Sequence, residues 1–431
     1  MPKNQIGRPP DHPRTPDGSI HHPDPFALRL LAWWDAHGRK DLPWQRDRTP
    51  YRVWVSEIML QQTQVATVLP YYARFMHRFP DVAALGTAAI DDVLHLWTGL
   101  GYYARGRNLH RAAQVVLERH AGEVPSDPMA LLELPGIGRS TANAIHALAA
   151  DGRSPILDGN VKRVLTRWRG IDGWPQASAT EAALWNLATD LLPATRMADY
   201  TQAVMDLGAT LCTRSRPRCD ACPLREDCVA RATSRTTTLP IARPRRALPE
   251  RRTRMWVIAS DAGVLLQLRP PSGLWGGLWS FPETTCDSNE STPQQLEDVL
   301  VRTGLRPWLV PELNVAWGSG EPGGSHGHVR PADSVLAIEA SVPEGLKARA
   351  IEALPGFAHQ FTHFRLLVHP MLVRLDASPP LAGVAEAPQV MWYREDSQEV
   401  GLSAVVTRVL GLVRSLHGLA ALERPADGDH R

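Results

Sequence analysis

The hydrophobic periodicity of this chain changes around residues 231–254, and that change constrains its fold more than any other feature. From Phe26 to about Ala232 apolar residues recur every three or four positions, and Gly or Pro turns break the pattern. The spacing predicts helices near 26–37, 50–60, 63–78, 88–96, 102–120, 128–134, 139–150, 159–170, 178–192 and 197–211. Past the change, Arg254–Ser260, a turn at Asp261–Gly263 and Val264–Arg269 read as a β-hairpin. Further strands are expected at 334–340, 364–374 and 389–394, with helices near 293–303 and 402–418. The expected architecture is multidomain, an all-α domain over 26–232 followed by an α+β domain over 254–418. Between them, 233–253 reads as a basic linker: residues 231–254 hold eight Arg against one Glu. It is either a solvated tether or one that touches phosphates. Residues 1–25 and 419–431 read as a disordered leader and tail, and the Gly-rich piece 318–328 as a surface loop.

At 431 residues the chain has ample material for two or three cores. No apolar run approaches a membrane span, and a proline-rich start lacks the apolar core of a signal peptide, so the cytoplasm is the expected compartment. The net charge of +2 does not by itself announce nucleic acid. Lysine is confined to Lys3, Lys40, Lys162 and Lys347, so chemistry that needs an amine has few places to find one.

Four of the five cysteines, Cys212, Cys219, Cys222 and Cys228, fall within seventeen residues. In a chain expected in the cytosol, a metal site is a better reading than disulfides. Zinc ribbons join two knuckles across a longer insert, whereas this tight run suits one [4Fe–4S] cluster over zinc. The loop Thr213–Arg218 carries three Arg that can meet phosphates. Cys286 stands apart and is expected to be a free thiol.

Leu134-Pro-Gly-Ile-Gly-Arg-Ser-Thr-Ala142 joins two apolar helical segments. Gly136 and Gly138 are expected to turn with positive φ and to leave the next helix's first N–H groups open, a phosphate-binding hairpin. With Arg139 and Ser140 this is a helix-hairpin-helix pattern for DNA backbone contact; a simple αα-corner is the plain alternative. Gly99-Leu-Gly-Tyr-Tyr103 echoes it, and Tyr102 could wedge into a base stack or be an ordinary core aromatic.

Two carboxylates stand out. Glu57 is the only formally charged residue from Val53 to Ala73, inside an expected helix that Thr49 and Pro50 would start. A carboxyl in such surroundings holds its proton and becomes a candidate general acid; the plain alternative is a core-edge Glu that reaches solvent. Asp158 opens the segment 159–170, where N-capping explains it and the same N–H groups would keep it ionised. One protonated and one ionised carboxyl is the pairing that glycosidic hydrolysis needs.

Ser56-Glu-Ile-Met-Leu-Gln-Gln-Thr-Gln-Val65, Leu96-Trp-Thr-Gly-Leu-Gly-Tyr-Tyr-Ala-Arg105, Leu134–Ala142, Ile156-Leu-Asp-Gly-Asn-Val-Lys-Arg163 and the four cysteines resemble the MutY-type adenine DNA glycosylases of the endonuclease III superfamily. The resemblance runs from about residue 26 into the C-terminal domain. It implies a base-excision repair enzyme that flips adenine out of duplex DNA opposite 8-oxoguanine or guanine and hydrolyses its glycosidic bond. Glu57 would then protonate the leaving base and later help activate water, and Asp158, with Asn160 beside it, would stabilise the sugar cation. Gln61, Gln62 and Tyr102 would fill the gap in the duplex, Trp44 and Gln202 would belong to the adenine pocket, and Lys162 would contact backbone. Superfamily members that also cut the strand carry a lysine where this chain has Ser140, so a monofunctional enzyme, acting as a monomer, is expected. A bifunctional glycosylase/lyase and a non-catalytic iron–sulfur DNA-binding module are the alternatives.

Arg269–Glu283 resembles a Nudix fold, but Gln294–Val301 supplies only Glu297 and Asp298 for magnesium, which implies recognition without hydrolysis. By the same resemblance, Phe361, Thr362 and His363 would sense 8-oxoguanine, with Thr where the family has Ser.

Overall fold

A computed structural model describes residues 25–243, 247–286, 291–305, 335–337, 348–375, 378, 381, 389–395 and 399–417. The stretch 318–328, the tail 419–431 and all but the last residue of the leader 1–25 lie outside the described residues. The chain divides into two compact units, cut at Thr87/Ala88, Arg107/Asn108 and Arg245/Arg246. The last cut falls inside the expected linker. The segment Ala88–Arg107, which the sequence places in the helical domain, divides with the second unit.

The helices in chain order are α1 (Pro25–His37), α2 (Pro43–Arg46), α3 (Pro50–Leu60), α4 (Val65–Arg78), α5 (Val82–Gly86), α6 (Ile90–Trp97), α7 (Ala104–Arg119), α8 (Pro128–Leu132), α9 (Arg139–Ala150), α10 (Gly159–Arg169), α11 (Ser178–Asp190), α12 (Met197–Thr210) and α13 (Val229–Ala232). Their starts follow from side-chain chemistry. Thr49 accepts from Arg52 N, Asp81 from Ala84 N and Asp127 from Ala130 N, and Pro50 and Pro128 occupy first turns where no N–H is missed. The helices α2, α5 and α13 are too short for periodicity to reveal. Helix α3 buries Val53, Trp54, Val55, Ser56, Ile58 and Met59, a face too wide for a surface helix, and packs on α4 and α9. Helices α10 and α12 approach closely because position 208 is glycine: a Cβ there would lie 2.7 Å from Asn160 Cβ.

The second unit contains β1 (Glu250–Ser260), β2 (Gly263–Leu268), β3 (Trp279–Ser280), β4 (Glu283–Thr285), α14 (Thr292–Arg302), β5 (Val335–Ala337), β6 (Ala348–Ala353), β7 (Phe357–Gln360), β8 (Arg365–Leu375), β9 (Val390–Tyr393) and α15 (Ala404–His417). Its sheet runs β3-β2-β1-β8-β6-β5, with β4 on β1, β7 on β8 and β9 on β2. β1 pairs in parallel with β8, Arg254 opposite His369, and antiparallel with β2, Ala259 opposite Val264. Alternation along β1 sends Met255, Val257 and Ala259 to the face that holds Val405, Val409 and Val413 of α15. Trp256 and Ile258 go to the other face, with Leu296, Val299 and Leu300 of α14.

The basic stretch is not simply an extended tether. Residues 235–238 form a turn, Arg235 pairs with Asp172, and Leu239 is buried with its carbonyl accepting from Arg167 Nε. At its other end β1 already begins at Glu250.

Candidate active site

A cavity of about 1390 Å³ opens in the helical unit, and Trp44, Glu57, Gln61, Gln62, Ser140, Asp158, Asn160, Lys162 and Gln202 all line it. Residues up to 158 positions apart in sequence thus meet because α3, α9, α10 and α12 present their ends or faces to one space.

Glu57 is half-buried, among the fully buried side chains of α3. Burial, followed by the charge of Asp158, raises its pKa to about 7. Asp158 caps α10 by accepting from Val161 N at 2.7 Å, and its other oxygen accepts from Asn160 Nδ2 at 3.1 Å. The expected low pKa for Asp158 is corrected: burial pushes it up, and the donors of Val161 and Asn160 and the charge of Arg163 oppose that push without reversing it. The two carboxyls therefore differ in hydrogen bonding rather than in the direction of their shifts.

Arg163 braces this corner by donating to Asn160 Oδ1 at 2.9 Å and to the Gly208 and Cys212 carbonyls. Lys162 pairs with Glu181 at 2.5 Å. Ser140 Oγ accepts from Leu157 N at 3.0 Å, tying α9 to the segment that delivers Asp158. Gln61 donates to Thr141 Oγ1 at 3.4 Å, and Gln62 has a left-handed backbone with φ of 57°. A non-glycine residue adopts that conformation at some cost, so the turn after α3 is held in a definite shape.

The ring of Trp44 packs edge-on to Tyr72 at 5.1 Å. Gln202 donates to Asp206 Oδ1 at 2.7 Å and accepts from Gln45. In the hairpin only Gly136 has positive φ, at 81°, and a Cβ there would lie 2.6 Å from Asn108 Cβ. Gly138 has φ of −96° and serves instead as the N-cap of α9, with open space where its Cβ would stand, which corrects the expectation of positive φ at both glycines. Arg139 does not line the cavity; its guanidinium sits over Trp185 at 4.0 Å.

Cys212, Cys219, Cys222 and Cys228 are not in disulfides. Burial raises the pKa of Cys222 to about 11, and the charges of Cys212, Cys228 and Cys219 push the same way, so the four sulfurs share one neighbourhood. Among the described residues no group of His, Cys, Asp or Glu is arranged to hold a single metal ion. Four thiols in one neighbourhood with no disulfide among them are a donor set that a metal centre can use. Arg167, itself buried, donates to Cys212 Sγ at 3.4 Å and to the carbonyls of Thr213 and Arg214, which shapes the loop from within.

In the second unit, Tyr102 is exposed with φ of 49°, and Arg105 donates to the Leu100 and Gly101 carbonyls behind it. Phe361 stacks on Phe364 with centroids 4.5 Å apart, leaving Thr362 and His363 exposed at the turn.

Sequence reasoning did not single out Arg39, Arg214 or Arg243 as cavity residues, yet all three line it. Arg214 lay inside the flagged basic loop and Arg243 inside the flagged basic stretch. Arg39 and its partner Asp206 carried no signal, since one Arg just past a helix and one Asp in a distant helix look like surface charges.

A helix-hairpin-helix unit with paired carboxyls in a cleft, followed by a mixed sheet between helices, defines a class of base-excision glycosylases. Residues 55–189 match the HhH-GPD superfamily base excision DNA repair protein model, and residues 254–329 match the NUDIX domain model. The adenine DNA glycosylase of Buchnera aphidicola subsp. Acyrthosiphon pisum is 32% identical over 89% of this chain and 96% of its own length. That of Rattus norvegicus is 37% identical over 66% of this chain and 64% of its own. A solved thermostable thymine-DNA glycosylase is 28% identical, with a TM-score of 0.45 over 48% of this chain and 95% of that one. The chain belongs to the adenine DNA glycosylase family. It is a hydrolase of N-glycosyl bonds that acts in base excision. No helix among the described residues is long and apolar enough to cross a membrane.

Proposed function

We propose that the enzyme releases adenine mispaired with 8-oxoguanine or guanine in duplex DNA, with Glu57 as general acid and Asp158 as stabiliser of the sugar cation. The observation that carries this reading is the unequal hydrogen bonding of two carboxyls on one cavity. Neither ionises easily, and each ionised partner makes the other costlier to ionise. The Val161 and Asn160 donors favour the anion on Asp158, and no hydrogen bond to the Glu57 carboxyl is seen among the described residues. The shared proton therefore rests on Glu57, from which it can pass to a ring nitrogen of the departing base. The positive charge that develops on the sugar then meets the Asp158 anion, with Asn160 and Arg163 fixing its orientation. Once the base has left, Glu57 is a carboxylate and can accept a proton from the attacking water.

Gln61 and Gln62 are assigned to the space the flipped adenine vacates, and Tyr102, considered by itself, to a wedge in the base stack. The open N-terminus of α9 behind Gly138, with Arg214 and Arg243 at the cavity, is assigned to phosphates. Lys162 contributes charge from its ion pair with Glu181, and Ser140 a structural hydrogen bond, so neither serves as a Schiff-base nucleophile. Cys212, Cys219, Cys222 and Cys228 would hold a [4Fe–4S] cluster, which when bound supplies structural cross-linking and local charge to the basic loop. The turn Phe361-Thr362-His363 is assigned to 8-oxoguanine recognition, on a domain spanning about 254–418.

Glu57→Gln tests the reading. The variant should bind A:8-oxoguanine duplex within about threefold of the wild type and release no measurable adenine in a single turnover; retained turnover would remove Glu57 from its role.

A further inference from the structure

We infer that Asp206 is a positioning residue that sets which way round the Gln202 amide faces the base, and so selects a purine with an amino group over one with a carbonyl oxygen. The inference rests on reading this cavity as the adenine pocket. Asp206 is fully buried on α12, one turn beyond Gln202. Its carboxylate accepts from Trp34 Nε1 at 3.2 Å, Arg39 N at 2.8 Å, Arg39 Nε at 2.9 Å and Arg39 Nη2 at 2.7 Å. Each of these partners is an N–H that can only donate, so both oxygens of Asp206 act as acceptors. The fifth contact, to the Gln202 amide at 2.7 Å, therefore falls on its NH2 group. That assigns the Gln202 oxygen to the other side, where it accepts from Gln45 Nε2. A carbonyl oxygen has two lone pairs, and Gln202 lines the cavity, so the second is left for a donor held there. Nearby, Gln45 Oε1 is buried with no hydrogen-bond partner among the described residues, a further acceptor facing no donor.

An acceptor fixed in this way complements the exocyclic NH2 of adenine and opposes the O6 of guanine or hypoxanthine. A free glutamine amide would not discriminate, because it turns over to suit either. Discrimination comes from the Asp206 carboxylate, held by Arg39 and Trp34, which makes the turned-over amide place its oxygen against a carboxylate.

Asp206→Asn keeps the shape but removes the charge and one of the two acceptors, so the Gln202 amide is no longer held one way round. Gln45→Glu pulls the same amide round from the other end. Single-turnover release of adenine and of hypoxanthine, each placed opposite guanine in one duplex sequence, reads the effect as a ratio of rates. The wild type should favour adenine by about tenfold or more, the size of one mismatched hydrogen bond. Asp206→Asn should cut that ratio at least about fivefold, and Gln45→Glu should move it the same way if Asp206→Asn does not fold. Rates that fall in proportion with the ratio unchanged, or a wild type indifferent to the two bases, would overturn the inference while leaving the adenine pocket standing. A wild type that releases neither base would overturn the pocket reading itself.

Discussion

Glu57 shows how burial alone prepares a side chain for acid chemistry. From Val53 to Ala73 no other residue carries a formal charge, burial raises its pKa to about 7, and Asp158 adds a like charge. A folded-state pKa above the ordinary 4.5 means that the native protein binds this proton more tightly than the unfolded chain does. The stability attached to the group is thus full below about pH 4.5 and is lost as pH rises through 7, amounting to about 3 kcal/mol. Glu57→Gln should accordingly be more stable than the wild type at pH 8 and equal to it near pH 4.5, as thermal melts at the two pH values would show. Activity carries the same signature. Single-turnover release should fall about tenfold per unit above 7 as Glu57 loses its proton, and also fall at acidic pH as Asp158 gains one, whereas a profile flat to pH 8.5 would mean another acid. Asp158→Asn separates two roles of one residue. Asn is as good an N-cap as Asp, so the melting temperature should hold while release drops roughly a hundredfold or more; equal activity would reduce Asp158 to a cap.

Elements place these residues, and here the sequence was informative to different degrees. Helix α3 was legible to the residue, because Thr49, Pro50 and an unbroken apolar run leave few alternatives. The hairpin was legible as a motif, but its two glycines proved to serve different ends. Gly136 takes the left-handed turn against Asn108, and Gly138 clears the start of α9. Gly136→Ala should therefore cost about 1–3 kcal/mol in a denaturant melt and weaken DNA binding as the hairpin shifts. Gly138→Ala should melt like the wild type, since its Cβ would meet nothing. Asp158 was read correctly as a cap and wrongly as a low-pKa group, because its desolvation arises only once the helices pack. The network around Asp206 was invisible for the same reason: Trp34, Arg39, Gln45 and Gln202 meet only once the helices pack.

Across the whole molecule, the change of periodicity that separates helices from strands corresponds to two folded units, although Ala88–Arg107 divides with the second. Within that unit Tyr103 donates to the Leu402 carbonyl at 2.7 Å and Arg107 to that of Gly276 at 2.6 Å, which explains the division in chemical terms. Tyr102, the expected wedge, therefore sits on a segment anchored to the unit assigned to 8-oxoguanine. If the four cysteines hold a cluster as proposed, its loss should release the loop from Cys212 to Cys228, to which Arg167 donates hydrogen bonds, and raise the DNA dissociation constant about tenfold or more while the α3 core stays folded. The account stands most directly on one comparison: single-turnover base release from otherwise identical duplexes carrying A:8-oxoguanine, A:G or A:T. It predicts fastest release of adenine opposite 8-oxoguanine, slower release opposite guanine, negligible release opposite thymine, and no strand cleavage without heat or alkali. Equal rates on all three duplexes, or strand scission at the rate of base release, would contradict it.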